Sequence, residues 1–90
     1  MRRVRAVIEG RVHGVGFRWF AVQNAVRLNL KGWVRNNIDG SVEAVAEGEE
    51  PSMREFIAIL KRGPSFADVT DISILEETPT GEFDSFDIIR

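Results

Sequence analysis

The stretch "RVRAVIEGRVHGVGFRWFAVQNAV", residues Arg3 to Val26, changes its period in mid-course. In its first part Val4, Ala6 and Ile8 fall on one side and Arg5, Val7 and Glu9 on the other. That two-residue repeat predicts a half-buried strand. Further on, Ala21, Ala25 and Leu28 recur at helical spacing, flanked by Val22 and Val26, and predict a first helix of about three turns. Asn29 follows where a residue tolerant of the left-handed conformation ends a helix. Between strand and helix lies a loop containing Gly14 and Gly16, with Arg18 just inside the helix entrance. A cation is the wrong residue there by the simplest rule, because the helix dipole already puts partial positive charge at that end. An anion held at the same place would reconcile the two.

Working outward, "KGWVRN" predicts a second strand, and "NNIDGS" carries Asp39-Gly40, a strong hairpin signal. "SVEAVAEG" is the return strand, with Val42, Ala44 and Ala46 on one face. Glu50-Pro51-Ser52 opens a second helix, where Ser52 and Glu55 have capping-box spacing. Met53, Phe56, Ile57 and Leu60 form its apolar stripe, and Gly63-Pro64 ends it. "ADVTDISILEE" predicts a fourth strand whose spacing slips between Val69 and Ile72, which fits either a bulge or a late strand start. "FDSFDII" predicts a short edge strand facing Phe86 and Ile88 inward. The expected fold is therefore α+β, a ferredoxin-like split βαβ sandwich: an antiparallel sheet of four to five strands with two helices on one face.

Ninety residues fit one domain, residues 1–90. No apolar run reaches the length of a bilayer span, and Glu9 and Gly10 interrupt the apolar segment of "MRRVRAVIEG" before it makes a secretory h-region. With no cysteine and one histidine, the chain has neither disulfide nor thiolate chemistry, nor a zinc-ligand set. We expect no metal, no cofactor, no membrane partner, a cytoplasmic setting and a monomer. Net charge is −2, which argues against a nucleic-acid partner. The charges are unevenly placed: residues 1–35 hold eight basic residues and one acidic, residues 36–90 four basic and thirteen acidic. Either the first part forms a positive surface that attracts a small anion, or the two parts interleave in space and the field averages out.

The glycine loop suits an anion. Gly14 and Gly16 admit positive φ and close approach to the backbone. Successive N–H groups in such a turn form an anion-binding nest, the helix start adds its own unpaired N–H groups, and the Arg18 fork matches two phosphate oxygens. The spacing is neither a dinucleotide fingerprint nor a Walker loop. Glycines alone also suit a purely structural turn with a solvated arginine. Asn36 lies just before the hairpin, where its uncharged amide donates and accepts; Asn residues beside Asp-Gly also serve simply as turn formers. Trp19, Trp33, Phe20 and Phe56 read as packing residues. Arg35 reads as a solvated strand residue, and Arg2, Arg3 and Arg5 as a solvated edge.

"GRVHGVGFR" followed by "GWVRNNIDGSVE" resembles the acylphosphatase family, small enzymes that hydrolyse carboxyl phosphates. The resemblance extends over essentially the whole chain. It implies an acyl phosphate substrate, a phosphate held by the loop His13, Gly14, Val15, Gly16, Phe17 and Arg18, and a water positioned by Asn36. Arg18 matches the family's phosphate-binding arginine. Inorganic phosphate or sulfate is then expected to compete for the loop. One departure is His13, where the family usually has Gln. If that position supplies only its backbone N–H, the change matters little; if its ring reaches the site, a pH dependence follows. Asn29 replaces a common glycine. Two rivals are an RNA-binding module, which needs aromatics on the sheet face and a basic field, and a non-catalytic anion sensor.

Overall fold

The computed structural model describes residues 1–90. The elements run β1 (Arg2–Arg11), α1 (Phe17–Arg27), β2 (Lys31–Asn36), β3 (Val42–Gly48), α2 (Glu50–Arg62), β4 (Asp68–Glu77) and β5 (Phe86–Ile88). The strands form one sheet in the order β4-β1-β3-β2-β5, and both helices pack on the same face. The expected two-helix, ferredoxin-like α+β sandwich is what the chain adopts.

The two-residue repeat of β1 buries Val4, Ala6 and Ile8, and β3 adds Val42, Ala44 and Ala46 on the same side. Onto them α1 places Phe17, Ala21 and Ala25, while α2 places Met53, Phe56 and Leu60. Alanines on both layers let helix and sheet approach closely, and the larger rings fill the remaining space: Phe56 meets Phe86 edge-on at 5.8 Å between centroids. Asn29 has φ of 60° just past the end of α1, the left-handed turn its position predicts. The slip in β4 is a bulge: Glu9 pairs with Asp71 and Gly10 with Val69, which leaves Thr70 without a partner on β1.

Several expectations need correction. The sheet is mixed, because β5 runs parallel to β2. β4 ends at the same end of the sheet as the start of β2, and the connection crosses β1 and β3 along that end, so β5 can only set out in the direction of β2. Phe86 faces inward, but Ile88 is exposed at the sheet's other end. The capping box does not form. Glu49 is the N-cap and Pro51 sits in the first turn, so the helix starts before Ser52 reaches a capping position. In the stripe of α2, Ile59 is buried where Ile57 is only partly covered.

The helix-free face resolves the uneven charge. Strand by strand it alternates in sign: Glu77 on β4, Arg3 and Arg5 on β1, Glu43 and Glu47 on β3, Arg35 on β2. Arg3 reaches Glu77 at 2.8 Å and Glu47 at 3.0 Å. Arg5 joins Glu43 and Glu77, and Arg35 reaches Glu43 at 3.1 Å. The basic first part and acidic second part of the chain thus interleave as neighbouring strands. Arg2, Arg3, Arg5 and Arg35 are ion-pair partners, against the expectation of free solvated residues. Trp33 packs between Arg5 and Arg35, whose guanidinium carbons lie 5.6 and 5.1 Å from the ring centroid. The exposed stacking aromatic that an RNA-binding sheet needs is here occupied from within.

Candidate active site

The end of the sheet away from the β4–β5 connection gathers the loop 12–16, the N-terminus of α1, the β2–β3 hairpin and the end of β5. A cavity of about 160 Å³ opens there, lined by Val12, Gly14, Gly16, Phe17, Arg18, Trp19, Asn36 and Ile88. Residues far apart in the chain, at the helix entrance and at the end of β2, therefore face one space.

The loop takes the shape its glycines allow. Gly14 and Gly16 have φ of 70° and 76°, and no atom lies within 4 Å of where a Cβ would stand on either. Their requirement is conformational, and the space beside them leaves the backbone open to a ligand. Gly16 is the N-cap of α1, and the first helical bond runs from Phe20 N–H to Gly16 O at 3.0 Å. None of the N–H groups from His13 to Trp19 donates to another protein group. The first turn of α1 contains no acidic residue, and Arg18 takes part in no ion pair, unlike the arginines of the sheet face. The N-terminal end of α1 is thus a concentration of unanswered positive charge and donors.

Asn36 faces this charge from the end of β2. Its Oδ1 is buried and has no hydrogen-bond partner in the protein. A buried amide oxygen left so costs about 1–3 kcal/mol, and such groups concentrate where a ligand or water completes them.

Of the residues singled out in the sequence, Gly14, Gly16, Phe17, Arg18 and Asn36 line the one cavity. The Phe17 side chain is buried in the core, so its backbone is what it offers the cavity, while Val15 packs against the core and does not line the cavity. The His13 ring turns away and bonds the Ser41 carbonyl through Nε2 at 2.9 Å. Three lining residues escaped the sequence reading, of which Val12 is a buried core residue. Trp19, expected to pack, is 60% exposed, and Ile88, expected inside, is 43% exposed. The helical repeat would have placed Trp19 off the buried face of Phe17, Ala21 and Ala25; nothing in the sequence places Ile88. A wider groove of about 520 Å³ follows the outer side of the hairpin, but it shares only Asn36 with the cavity and no part of the glycine loop.

No helix is long and apolar enough to cross a membrane. A family model for acylphosphatase matches residues 4–88. An acylphosphatase of Syntrophotalea carbinolica is 46% identical over 86 residues, which is 96% of this chain and 94% of that protein. The crystal structure of acylphosphatase from Bacillus subtilis superposes with a TM-score of 0.96 at 41% identity, each chain covered in full. An acylphosphatase from Coxiella burnetii superposes with a TM-score of 0.93 at 32% identity, covering 98% of this chain and 92% of that one. With a family model over residues 4–88 and relatives of the same family matched over nearly their full length, the chain belongs to the acylphosphatase family.

Proposed function

We propose that this chain hydrolyses the carboxyl–phosphate bond of acyl phosphates with the loop His13–Arg18 as its phosphate cradle and Asn36 as its water-positioning residue. The observation that carries the assignment is the meeting in one cavity of unpaired loop N–H groups, an unpaired arginine and a buried, unpartnered amide oxygen.

The chemistry asks for little more. The leaving group is a carboxylate, stable without protonation, so phosphoryl transfer rests on positioning and charge stabilisation. The loop amides and the Arg18 guanidinium hold the phosphoryl oxygens. Asn36 Oδ1 accepts a hydrogen bond from water and leaves an oxygen lone pair directed at phosphorus. Water forms the new P–O bond, the bond to the acyl oxygen breaks, and its electron pair leaves with the carboxylate. The proton lost by water passes to a phosphate oxygen, so no side-chain base is required. No step calls for a metal. The acyl group extends past Trp19 and Ile88 toward solvent, and a single copy of the chain supplies every residue named.

The test is hydrolysis of benzoyl phosphate, with and without chelator, at increasing inorganic phosphate. We expect turnover unaffected by chelator and competitive inhibition by phosphate. Anion binding without turnover would convert the enzyme into the sensor considered above. Activity restored only by added Mg²⁺ would refute the metal-free step.

A further inference from the structure

We infer that His13 is a positioning residue: its ring latches the phosphate loop to the hairpin that carries Asn36. The inference rests on the reading of Asn36 given above. Ser41 closes the β2–β3 hairpin, and its carbonyl accepts from Asn37 N–H at 2.8 Å, the residue immediately after Asn36. The same carbonyl accepts from His13 Nε2 at 2.9 Å. A carbonyl only accepts, so Nε2 bears the proton in the neutral ring as it does in the imidazolium.

The hairpin end of this bond is fixed. Ser41 is 3% exposed. Its N–H and Oγ donate to Asp39 Oδ1 at 2.9 and 2.7 Å, and Asn37 Nδ2 donates to its Oγ at 3.0 Å. His13 Nε2 to Ser41 O is the one hydrogen bond joining the glycine loop to this hairpin. Because the ring does not line the cavity, its influence on the reaction passes through distance: it sets how far Asn36 stands from the phosphate cradle.

This geometry predicts a separation of effects. The loop amides and Arg18 lie on the His13 side of the bond and Asn36 on the other. Losing the latch displaces the water without dismantling the cradle. His13→Ala should therefore lower kcat by about tenfold to a hundredfold, the scale of a small misplacement of reacting groups, with little change in the phosphate inhibition constant. His13→Gln should restore most of kcat, because its amide nitrogen reaches about as far from the backbone as Nε2. His13→Asn carries the same amide one carbon short and should stay slow. In an Asn36→Ala background, His13→Ala should cost nothing further, since no positioned water remains to misplace.

The experiment measures kcat, KM and phosphate inhibition for these variants, with urea denaturation reporting folding separately. The Gln and Asn variants decide the matter should His13→Ala not fold. Losses from His13→Ala and Asn36→Ala that multiply, or Gln and Asn variants equally slow, would overturn the latch. A near-normal kcat for Asn36→Ala alone would instead overturn the role of Asn36 from which the inference starts.

Discussion

On the helix-free face of the sheet, arginines and glutamates answer one another across four strands; at the entrance of α1, Arg18, seven amide donors and Asn36 Oδ1 answer to nothing in the protein. The residue types are similar and their treatment is opposite. Glu47 is the extreme of the first kind. It is 3% exposed, yet it accepts from Arg3 at 3.0 Å, from Thr80 N–H at 2.9 Å and from Gly81 N–H at 3.0 Å. In doing so it pins the β4–β5 connection to the sheet. Asn36 is the extreme of the second kind, its buried Oδ1 left without a partner. Polar groups that hold a fold together are closed among themselves, while those that act on a substrate keep donors and acceptors free. Substitutions in the two regions should consequently have opposite signatures.

The largest effect is expected at Arg18. In the proposed cradle Arg18→Ala removes the charge-assisted grip on the phosphoryl oxygens, so kcat/KM should fall by about 10³–10⁴ and phosphate inhibition should weaken in parallel. Because Arg18 joins no ion pair, its urea midpoint should not move. Steady-state kinetics and denaturation on the same preparation decide it. A variant that loses stability and keeps activity would place Arg18 with the sheet arginines.

Asn36→Ala should lower kcat by about 10²–10³, the usual scale for one positioned polar group. Its phosphate inhibition constant should hardly change. Stability should hold or rise slightly, since the substitution deletes a buried oxygen that has no protein partner. Weakened phosphate binding with near-normal turnover would reassign Asn36 to the cradle.

Glu47→Ala inverts this pattern. Leaving Arg3 and the Thr80 and Gly81 amides without their shared acceptor should cost about 2–4 kcal/mol in urea denaturation, with kcat retained where the protein stays folded. Acid should reproduce the loss in the parent. Burial pushes the Glu47 carboxyl up, but the Thr80 N–H, Arg3 and the Gly81 N–H outweigh it and hold the carboxyl below its usual range. A depressed folded value stabilises the protein above the unfolded carboxylate value of about 4.3 and ceases to do so as pH falls through the folded one. The parent should therefore lose more stability on acidification than Glu47→Gln, which has no charge at this position to lose. Equal slopes for the two would remove Glu47 from the account.

The smallest effect is expected at the rim. Trp19→Ala should raise KM for benzoyl phosphate several-fold, roughly 1 kcal/mol of lost aromatic contact, and leave acetyl phosphate nearly unaffected. Equal losses for both substrates would mean that Trp19 shapes the loop and not the acyl side.

Local features carried most of what the sequence could disclose. β1, α1 and the Asp39-Gly40 hairpin follow from period and turn chemistry within a few residues of one another. The proposed cradle could be picked out because a helix entrance, two glycines and an arginine are neighbours in sequence. Asn36 was ambiguous on its own, and only the resemblance gave it a role. What escaped depends on who sits beside whom across the sheet. The direction of β5 follows from a connection that crosses β1 and β3. The partners of Arg3 and Arg5 come from strands more than thirty residues away. Ile88 read as inward because Phe86, two residues earlier, is buried, but the core ends before it. The capping box failed to form because Pro51 governs the start of α2 locally.

The bulge in β4 has a bearing on encounters between molecules. β4 is an outermost strand of ten residues, bonded to β1 on one side, with backbone groups on the other side free to template a foreign strand. Leu75, 61% exposed, adds an apolar attraction to that edge. The unpaired Thr70 interrupts the regular bonding pattern, and exposed Asp68 and Asp71 put like charges along the strand. A second copy arriving edge to edge meets an irregular backbone and its own repeated carboxylates, the devices by which open sheets resist aggregation. The irregularity that breaks the two-residue rhythm near Val69 thus also makes this edge a poor seed for fibrils.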